Sequence, residues 1–301
     1  MYLEHFGLKA LPFSLTPDTD FFFASPSHSE ALNVLLVALR GGEGFIKVTG
    51  EVGLGKTLLC RRLLNALSDE FVTAYIPNPH LSPGSMRLAL SRELRLRLPR
   101  ARYTQDELLL WLNAALLRFA REGKRVVLCL DEAQELPAQT LEAVRLLTNL
   151  ETEKRKLLQV VLFGQPELDR RLADRRLRQL TQRITFSYRL APMNRAMMTD
   201  YVAHRLRVAG FRGPLPFTPR ALGRLYRASR GTPRLVNVLC HKGLMAAYGP
   251  GAHEVDGRAM RMAIRDTEGA RHPWRSGRTA FAGVVIGLVA ASWRWLPGGR
   301  P

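Results

Sequence analysis

The stretch GEVGLGKT, Gly50 to Thr57, constrains this chain more than any other, because it fills every required position of the pattern G-x-x-x-x-G-K-[ST]. It lies between FIKVT (Phe45 to Thr49), an apolar run suited to a buried strand, and LLCRRLLNAL (Leu58 to Leu67), whose apolar residues recur at helical spacing. A strand, a glycine loop and a helix in that order form a phosphate cradle. Glycines at 50, 53 and 55 let backbone N–H groups turn inward, and the positive end of the next helix faces the same point. Gly50, Glu51, Val52, Gly53, Leu54, Gly55, Lys56, Thr57 and Leu58 are therefore the expected nucleotide-binding residues. Lys56 is expected at the β/γ-phosphates and Thr57 on Mg²⁺.

Four more runs have strand character: FVTAYI (Phe71 to Ile76), RVVLCLDEAQ (Arg125 to Gln134), LLQVVLF (Leu157 to Phe163) and ITFSYRL (Ile184 to Leu190). Helical patterns alternate with them, near Ser85 to Leu98, Thr104 to Arg121 and Pro137 to Leu150, and SHSEALNVLLVALRGG reads as a further helix with Ser27 or Ser29 as its cap, an apolar stripe from Ala31 to Leu39 and a stop at Gly41-Gly42. Thr104 and Glu107 have the spacing of a capping box. The class implied is α/β, a five-stranded parallel sheet with helices on both faces. Beyond Pro192 strand signals stop, and helices are expected over Arg195 to Ala209, Pro219 to Ser229, Pro233 to Ala247 and Asp256 to Asp266.

Asp131 and Glu132 end the apolar strand VVLCL, where carboxylates can face the phosphate loop across the carboxyl edge of the sheet. Asp131 is expected to help hold Mg²⁺, and Glu132 to orient and polarise an attacking water. Gln165, immediately after a strand, either contacts the γ-phosphate or the water, or only starts the Pro166 turn. Arg183, just before the last strand, either projects toward a neighbouring subunit's nucleotide or forms a surface ion pair. Arg234, in RGTPRLVN, opens a helix from which it could reach the γ-phosphate.

With 46% hydrophobic residues among 301, the chain can bury a sizeable core. Cys60, Cys129 and Cys240 sit singly in apolar segments, which suggests buried thiols rather than disulfides or a metal site. The seven histidines, His5, His28, His80, His204, His241, His253 and His272, lack paired ligand spacing and read as surface or packing residues. The start shows no charged-then-apolar leader, so no signal peptide is expected. The formal charge of +19 is lopsided: residues 1–150 carry 17 Lys+Arg against 16 Asp+Glu, and residues 151–301 carry 28 against 10. That basic half suits an anionic membrane or nucleic acid, or reflects composition alone.

The segment Thr279 to Leu296 holds 18 residues, roughly 27 Å of helix against a hydrocarbon layer of about 30 Å. Trp293 and Trp295 suit the interface, and Arg271, Arg275 and Arg278 precede the segment, which keeps the preceding chain cytoplasmic if it spans. A helix lying in the interface or packed on the protein remains the alternative.

GEVGLGKT, VVLCLDE, Gln165, Arg183 and the GTPR around Arg234 together resemble an AAA+ ATPase core with a helical lid. HFGLKALPFSLTPDTDFFF, PSHSEAL, GEGFIKVTGEVG, LFGQPELD and LTQRI go further and are similar to the bacterial ExeA/GspA-type secretion ATPases, among them those of mannose-sensitive haemagglutinin (MSHA) pilus biogenesis. The resemblance covers roughly residues 1–265. With the reading of the C-terminal segment it gives an N-terminal arm packed on the core over 1–26, a P-loop core over 27–192, a lid over 193–268, a basic linker over 269–278 and, from length and apolar content alone, an expected transmembrane helix over 279–296. It also implies a homo-oligomeric, Mg²⁺-dependent ATPase at the bacterial inner membrane, with its ATPase domain in the cytoplasm. Its partners would be pilus or type II secretion assembly proteins. The chain departs from the longer members by ending at 301, without room for their peptidoglycan-binding domain, which puts direct wall binding in doubt. A DNA-binding regulator similar to transposition helpers, and a scaffold that scarcely hydrolyses ATP, are the alternatives.

Overall fold

The computed structural model describes residues 2–16, 18–77, 80–98, 103–149 and 156–270, and these fall into a sheet unit, Thr16–Met193, and a helical unit that combines the first fifteen residues with the chain from Asn194 onward. The expected segment 279–296 lies outside the described residues. No helix among the described residues is long and apolar enough to cross a membrane.

In the helical unit's first segment, α1 is a single turn, Tyr2–His5. The sheet unit opens with α2 (Pro26–Arg40). Its cap is Ser25, not Ser27 or Ser29: Ser25 is extended, its hydroxyl accepts from the His28 N–H, and Pro26 takes the first helical position, where a missing N–H costs nothing. Ser27 instead accepts from the Ala191 N–H at 3.1 Å. Strand β1 (Phe45–Thr49) leads through the glycine loop into α3 (Lys56–Ala66). Then follow β2 (Phe71–Ile76), α4 (Pro83–Glu93) and α5 (Gln105–Arg121), the last with the full capping box of Thr104 and Glu107. Next come β3 (Arg125–Leu130), α6 (Ala138–Leu147) and β4 (Leu158–Gly164). Two short helices, α7 (Glu167–Leu172) and α8 (Arg178–Thr181), precede β5 (Ile184–Arg189).

The strands form a five-stranded parallel sheet in the order β2-β3-β4-β1-β5. Side chains of a strand alternate between faces, and β3 displays this directly. Val126, Leu128 and Leu130 join a core with residues of α4, α5 and α6, whereas Val127 and Cys129 join one with residues of α2 and α3. Both faces are thus buried, which is why β3 and β4 read as unbroken apolar runs. Each fully buried Leu or Val contributes about 1.5–3 kcal/mol. Register levels the strand ends: Ile76 pairs with Leu130, Leu130 with Leu162, and Thr49 with Gly164. The loops leaving β1, β3 and β4 consequently emerge side by side at the carboxyl edge.

The helical unit contains α9 (Arg195–Val208), α10 (Pro219–Ser229), α11 (Pro233–Tyr248) and α12 (Gly257–Arg265). Residues 2–15 of the expected 1–26 arm group with these helices rather than with the sheet. Polar anchors explain it. The buried Arg205 guanidinium donates to the carbonyls of Pro12 at 2.5 Å and Ser14 at 3.3 Å, and the Tyr2 hydroxyl bonds His241 Nδ1 at 2.8 Å. Burial pushes the Tyr2 phenol up to about 12, so it stays neutral.

Candidate nucleotide site

The loop from Gly50 to Gly55 bends where glycine permits it: Gly53 and Gly55 have φ of 82° and 90°, in the left-handed region. A Cβ at Gly55 would also sit 3.2 Å from His28 Nε2. Gly50 is held to the end of β4 by its N–H on the Gly164 carbonyl at 3.2 Å. The first backbone N–H groups of α3 have no acceptor within their own helix and point toward the loop's hollow. Lys56 is buried, with Nζ donating to the Gly50 carbonyl at 2.8 Å and to Glu51 at 3.2 Å. Burial lowers its pKa, while the charges of Glu132, Asp131, Glu51 and Glu167 oppose that shift.

Beside the loop, the Thr57 hydroxyl donates to Asp131 Oδ2 at 2.6 Å, joining the first turn of α3 to the end of β3. Asp131 is 2% exposed, and its Oδ1 accepts from the Glu132 N–H at 3.0 Å. Burial raises the Asp131 pKa against those two donors. Tyr75 adds a long contact, its hydroxyl 3.5 Å from Asp131 Oδ2, and burial pushes that phenol upward. A hydroxyl and a carboxylate converging on one point are the oxygen donors a hard divalent cation takes, so Thr57 and Asp131 fit Mg²⁺.

Glu132 adopts a left-handed backbone, φ 50° and ψ 42°, which is uncommon outside glycine, and this turns its side chain into the site. Its Oε2 receives Gln134 Nε2 at 2.6 Å and Gln165 Nε2 at 3.0 Å. Burial pushes the Glu132 carboxyl up, but those two amides and the Lys56 charge outweigh it and leave the pKa below its usual value. Gln165 therefore touches the carboxylate as well as following β4, which is more than a turn starter does.

One expected residue is not brought to this point. Arg183 precedes β5, whose Ile184 pairs with Phe45 at the start of β1, so it lies at the amino edge of the sheet, opposite the loop. There its guanidinium donates to Thr148 Oγ1 at 3.4 Å. Arg234 is exposed in the first turn of α11, in the other unit.

Two functional neighbours were not legible in the sequence. His28 bridges Ser25 Oγ, 2.7 Å from Nδ1, and the Leu54 carbonyl, 2.9 Å from Nε2, and so ties α2 to the glycine loop. It is neither a surface residue nor simple packing. Gln134 is the second; its place two residues after Glu132 was the available signal. Cys60, Cys129 and Cys240 are free and buried, as expected.

The AAA domain family is matched over residues 39–172, which hold β1 to α7. General secretion pathway protein A of Aeromonas hydrophila is 44% identical over 300 residues, 97% of this chain. The chain belongs to the ExeA/GspA-type AAA+ family. It spans about half the length of that curated relative, 53%. Among solved structures, Cdc6p from Pyrobaculum aerophilum superposes with a TM-score of 0.64 at 19% identity, covering 83% of this chain and 70% of its own. The Aeropyrum pernix ORC2 protein gives 0.64 at 17%, covering 85% and 71%. The Thermotoga maritima RuvB branch migration motor gives 0.54 at 16%, covering 84% and 72%. At such identities these similarities speak for the AAA+ P-loop fold alone.

Proposed function

We propose that this ExeA/GspA-type chain is a Mg²⁺-dependent ATPase whose cycle serves assembly of a type II secretion-like complex or a type IV, MSHA-like pilus at the bacterial inner membrane, with its ATPase domain cytoplasmic. The observation that carries the catalytic part is the meeting of Thr57, Asp131 and Glu132 beside the glycine loop. The loop N–H groups and Lys56 bind the phosphates of ATP, Lys56 leaving its two loop carbonyls to do so. Thr57 and Asp131 hold Mg²⁺, which neutralises charge on the β/γ-phosphates. Glu132 orients the attacking water and takes its proton, and Gln165 senses the γ-phosphate. The catalytic gain comes from positioning and charge stabilisation rather than from covalent chemistry.

The remaining assignments concern the assembly. Arg183, at the sheet edge remote from its own loop, acts on the nucleotide of the next protomer in a homo-oligomer, and Arg234 closes on the γ-phosphate from the helical unit as a lid. The relative's printed role in general secretion supports the secretion setting. Pilus assembly and anchoring through 279–296 rest on the sequence resemblance and on segment length.

The decisive experiment is ATP turnover by purified oligomer beside nucleotide binding. Lys56→Ala is expected to lose binding. Glu132→Gln is expected to bind ATP normally and turn over at least 100-fold more slowly, roughly the loss typical of a removed general base. Arg183→Ala should behave like Glu132→Gln, and mixing the two variants should restore part of the turnover at mixed interfaces. Turnover at the wild-type rate in Glu132→Gln would refute the mechanism. Membrane fractionation of the full chain beside a truncation after Thr267 tests the anchor, and equal solubility of the two removes its support.

A further inference from the structure

We infer that Gln134 is a positioning residue for Glu132, holding the carboxylate in place when Gln165 turns to the γ-phosphate. The inference rests on the reading of Glu132 as the water-orienting carboxylate. Its ground is a closed ring of three hydrogen bonds. Gln134 Nε2 donates to Glu132 Oε2 at 2.6 Å, Gln165 Nε2 donates to the same oxygen at 3.0 Å, and the Gln165 backbone N–H donates to Gln134 Oε1 at 3.0 Å.

The chemistry fixes both amide orientations. A backbone N–H can face only an acceptor, so Gln134 must present Oε1 to Gln165 and therefore Nε2 to the carboxylate. An ionised carboxylate accepts only, so Gln165 must present Nε2 as well. Both donors fall on Oε2, which leaves Oε1 as the oxygen to meet a water.

Gln134 is itself immobilised. Its side chain is 6% exposed, and the Arg171 guanidinium of α7 donates to the carbonyls of Gln134 and of Leu136, the latter at 2.6 Å. At Gly164 a Cβ would lie 3.3 Å from Gln134 Oε1, so the glycine leaves the amide its room. The two donors to Glu132 thus differ in kind. Gln165 is only partly buried, and turning its amide toward a phosphate oxygen weakens its bond to Glu132, whereas Gln134 is buried with both ends of its amide engaged. Gln134 alone keeps Oε2 anchored through the step in which Gln165 changes partner.

Two variants separate the two ends of the bridge. Gln134→Met keeps the length of the side chain and loses both bonds. Gln134→Glu keeps an acceptor for the Gln165 N–H but loses the donor to Glu132. In the purified full-length oligomer, both are expected to lower kcat about 10-fold to 100-fold, the scale of a small misplacement of a reacting group, with KM for ATP within about twofold of wild type. Hydrogen exchange at the Gln165 amide, read without nucleotide, should accelerate in Gln134→Met and stay slow in Gln134→Glu. Should Gln134→Met not fold, Gln134→Glu alone carries the kcat test. Wild-type kcat in the folded variants, alongside an inactive Glu132→Gln, overturns the positioning role and leaves the reading of Glu132 standing. An active Glu132→Gln overturns both, and the two failures are told apart by that one control.

Discussion

Replacing His28 by Phe tests how far the glycine loop depends on a residue outside the phosphate motif. The ring is 8% exposed, with Nε2 2.9 Å from the Leu54 carbonyl and Nδ1 2.7 Å from Ser25 Oγ. Because the buried carbonyl can only accept, Nε2 carries the proton and Nδ1 accepts from Ser25. Phenylalanine fills a similar volume and removes both bonds. A buried acceptor left without its donor costs about 1–3 kcal/mol, so stability should fall by that amount in denaturant unfolding. The bond also holds Leu54 in the geometry that presents Gly55 and Lys56. If its net worth is about 1 kcal/mol, the equilibrium constant for the binding-competent loop falls roughly fivefold, and the apparent Kd for ATP rises by up to the same factor.

The pH dependence supplies an independent readout. Burial lowers the His28 pKa below its usual value, with the Leu54 bond opposing. The unfolded chain, with an ordinary histidine, therefore takes up this proton at a higher pH than the folded protein. Stability from burying the neutral ring is full above the unfolded pKa of about 6.5 and is lost as pH falls below it toward the folded value, by at most about 1.4 kcal/mol per pH unit. His28→Phe should remove that component of the slope. Unfolding followed from pH 8 to pH 5, with ATP titrations at both ends, measures all three effects. An unchanged ATP affinity with lowered stability would reduce His28 to a packing residue. An unchanged pH slope as well would sink the argument.

Gly55→Ala meets two obstacles at once, φ of 90° and a Cβ 3.2 Å from His28 Nε2, and should lose ATP binding in calorimetry while destabilising the fold by about 1–3 kcal/mol. A double-mutant cycle with Thr57→Ala and Asp131→Asn should return a coupling of about 0.5–3 kcal/mol in unfolding experiments, reflecting their 2.6 Å bond; additive effects would show the bond to be inconsequential. Thr104→Ala removes the cap of α5 and should cost about 0.5–2 kcal/mol with ATP turnover per folded protomer unchanged.

How much of this was readable in advance follows the range of the interactions involved. Helix α10 was expected over Pro219 to Ser229 and occupies those residues, because a Thr cap, a proline at the first position and a strongly amphipathic run are all local signals. The five strands were legible for a similar reason, since burial on both faces writes itself as continuous apolar sequence. The cap of α2 was misassigned among Ser25, Ser27 and Ser29 because all three can cap. Only the tertiary bond from Ser27 to the Ala191 N–H shows which serine is engaged elsewhere. The helices α7 and α8 are too short, at 6 and 4 residues, for periodicity to announce them.

At the site the same division is sharper. Lys56 and Thr57 were identifiable because a continuous motif carries them, and Asp131 and Glu132 because a strand ends on them. What holds Glu132 is only partly continuous: Gln134 stands two residues on, but Gln165 meets Glu132 across 33 residues of chain and Gln134 across 31, and His28 meets Leu54 across 26. Those meetings depend on register. Leu130 opposite Leu162 brings the turn after β3 level with the end of β4, and Thr49 opposite Gly164 brings the glycine loop to the same height. A one-residue slip between β3 and β4 would move Gln165 by about 3.3 Å and reverse the face its neighbours occupy, breaking the ring while leaving every motif intact in the sequence. The motif therefore specifies which atoms bind phosphate, and the buried apolar faces of β1, β3 and β4, by fixing register, specify which amides reach the carboxylate beside it.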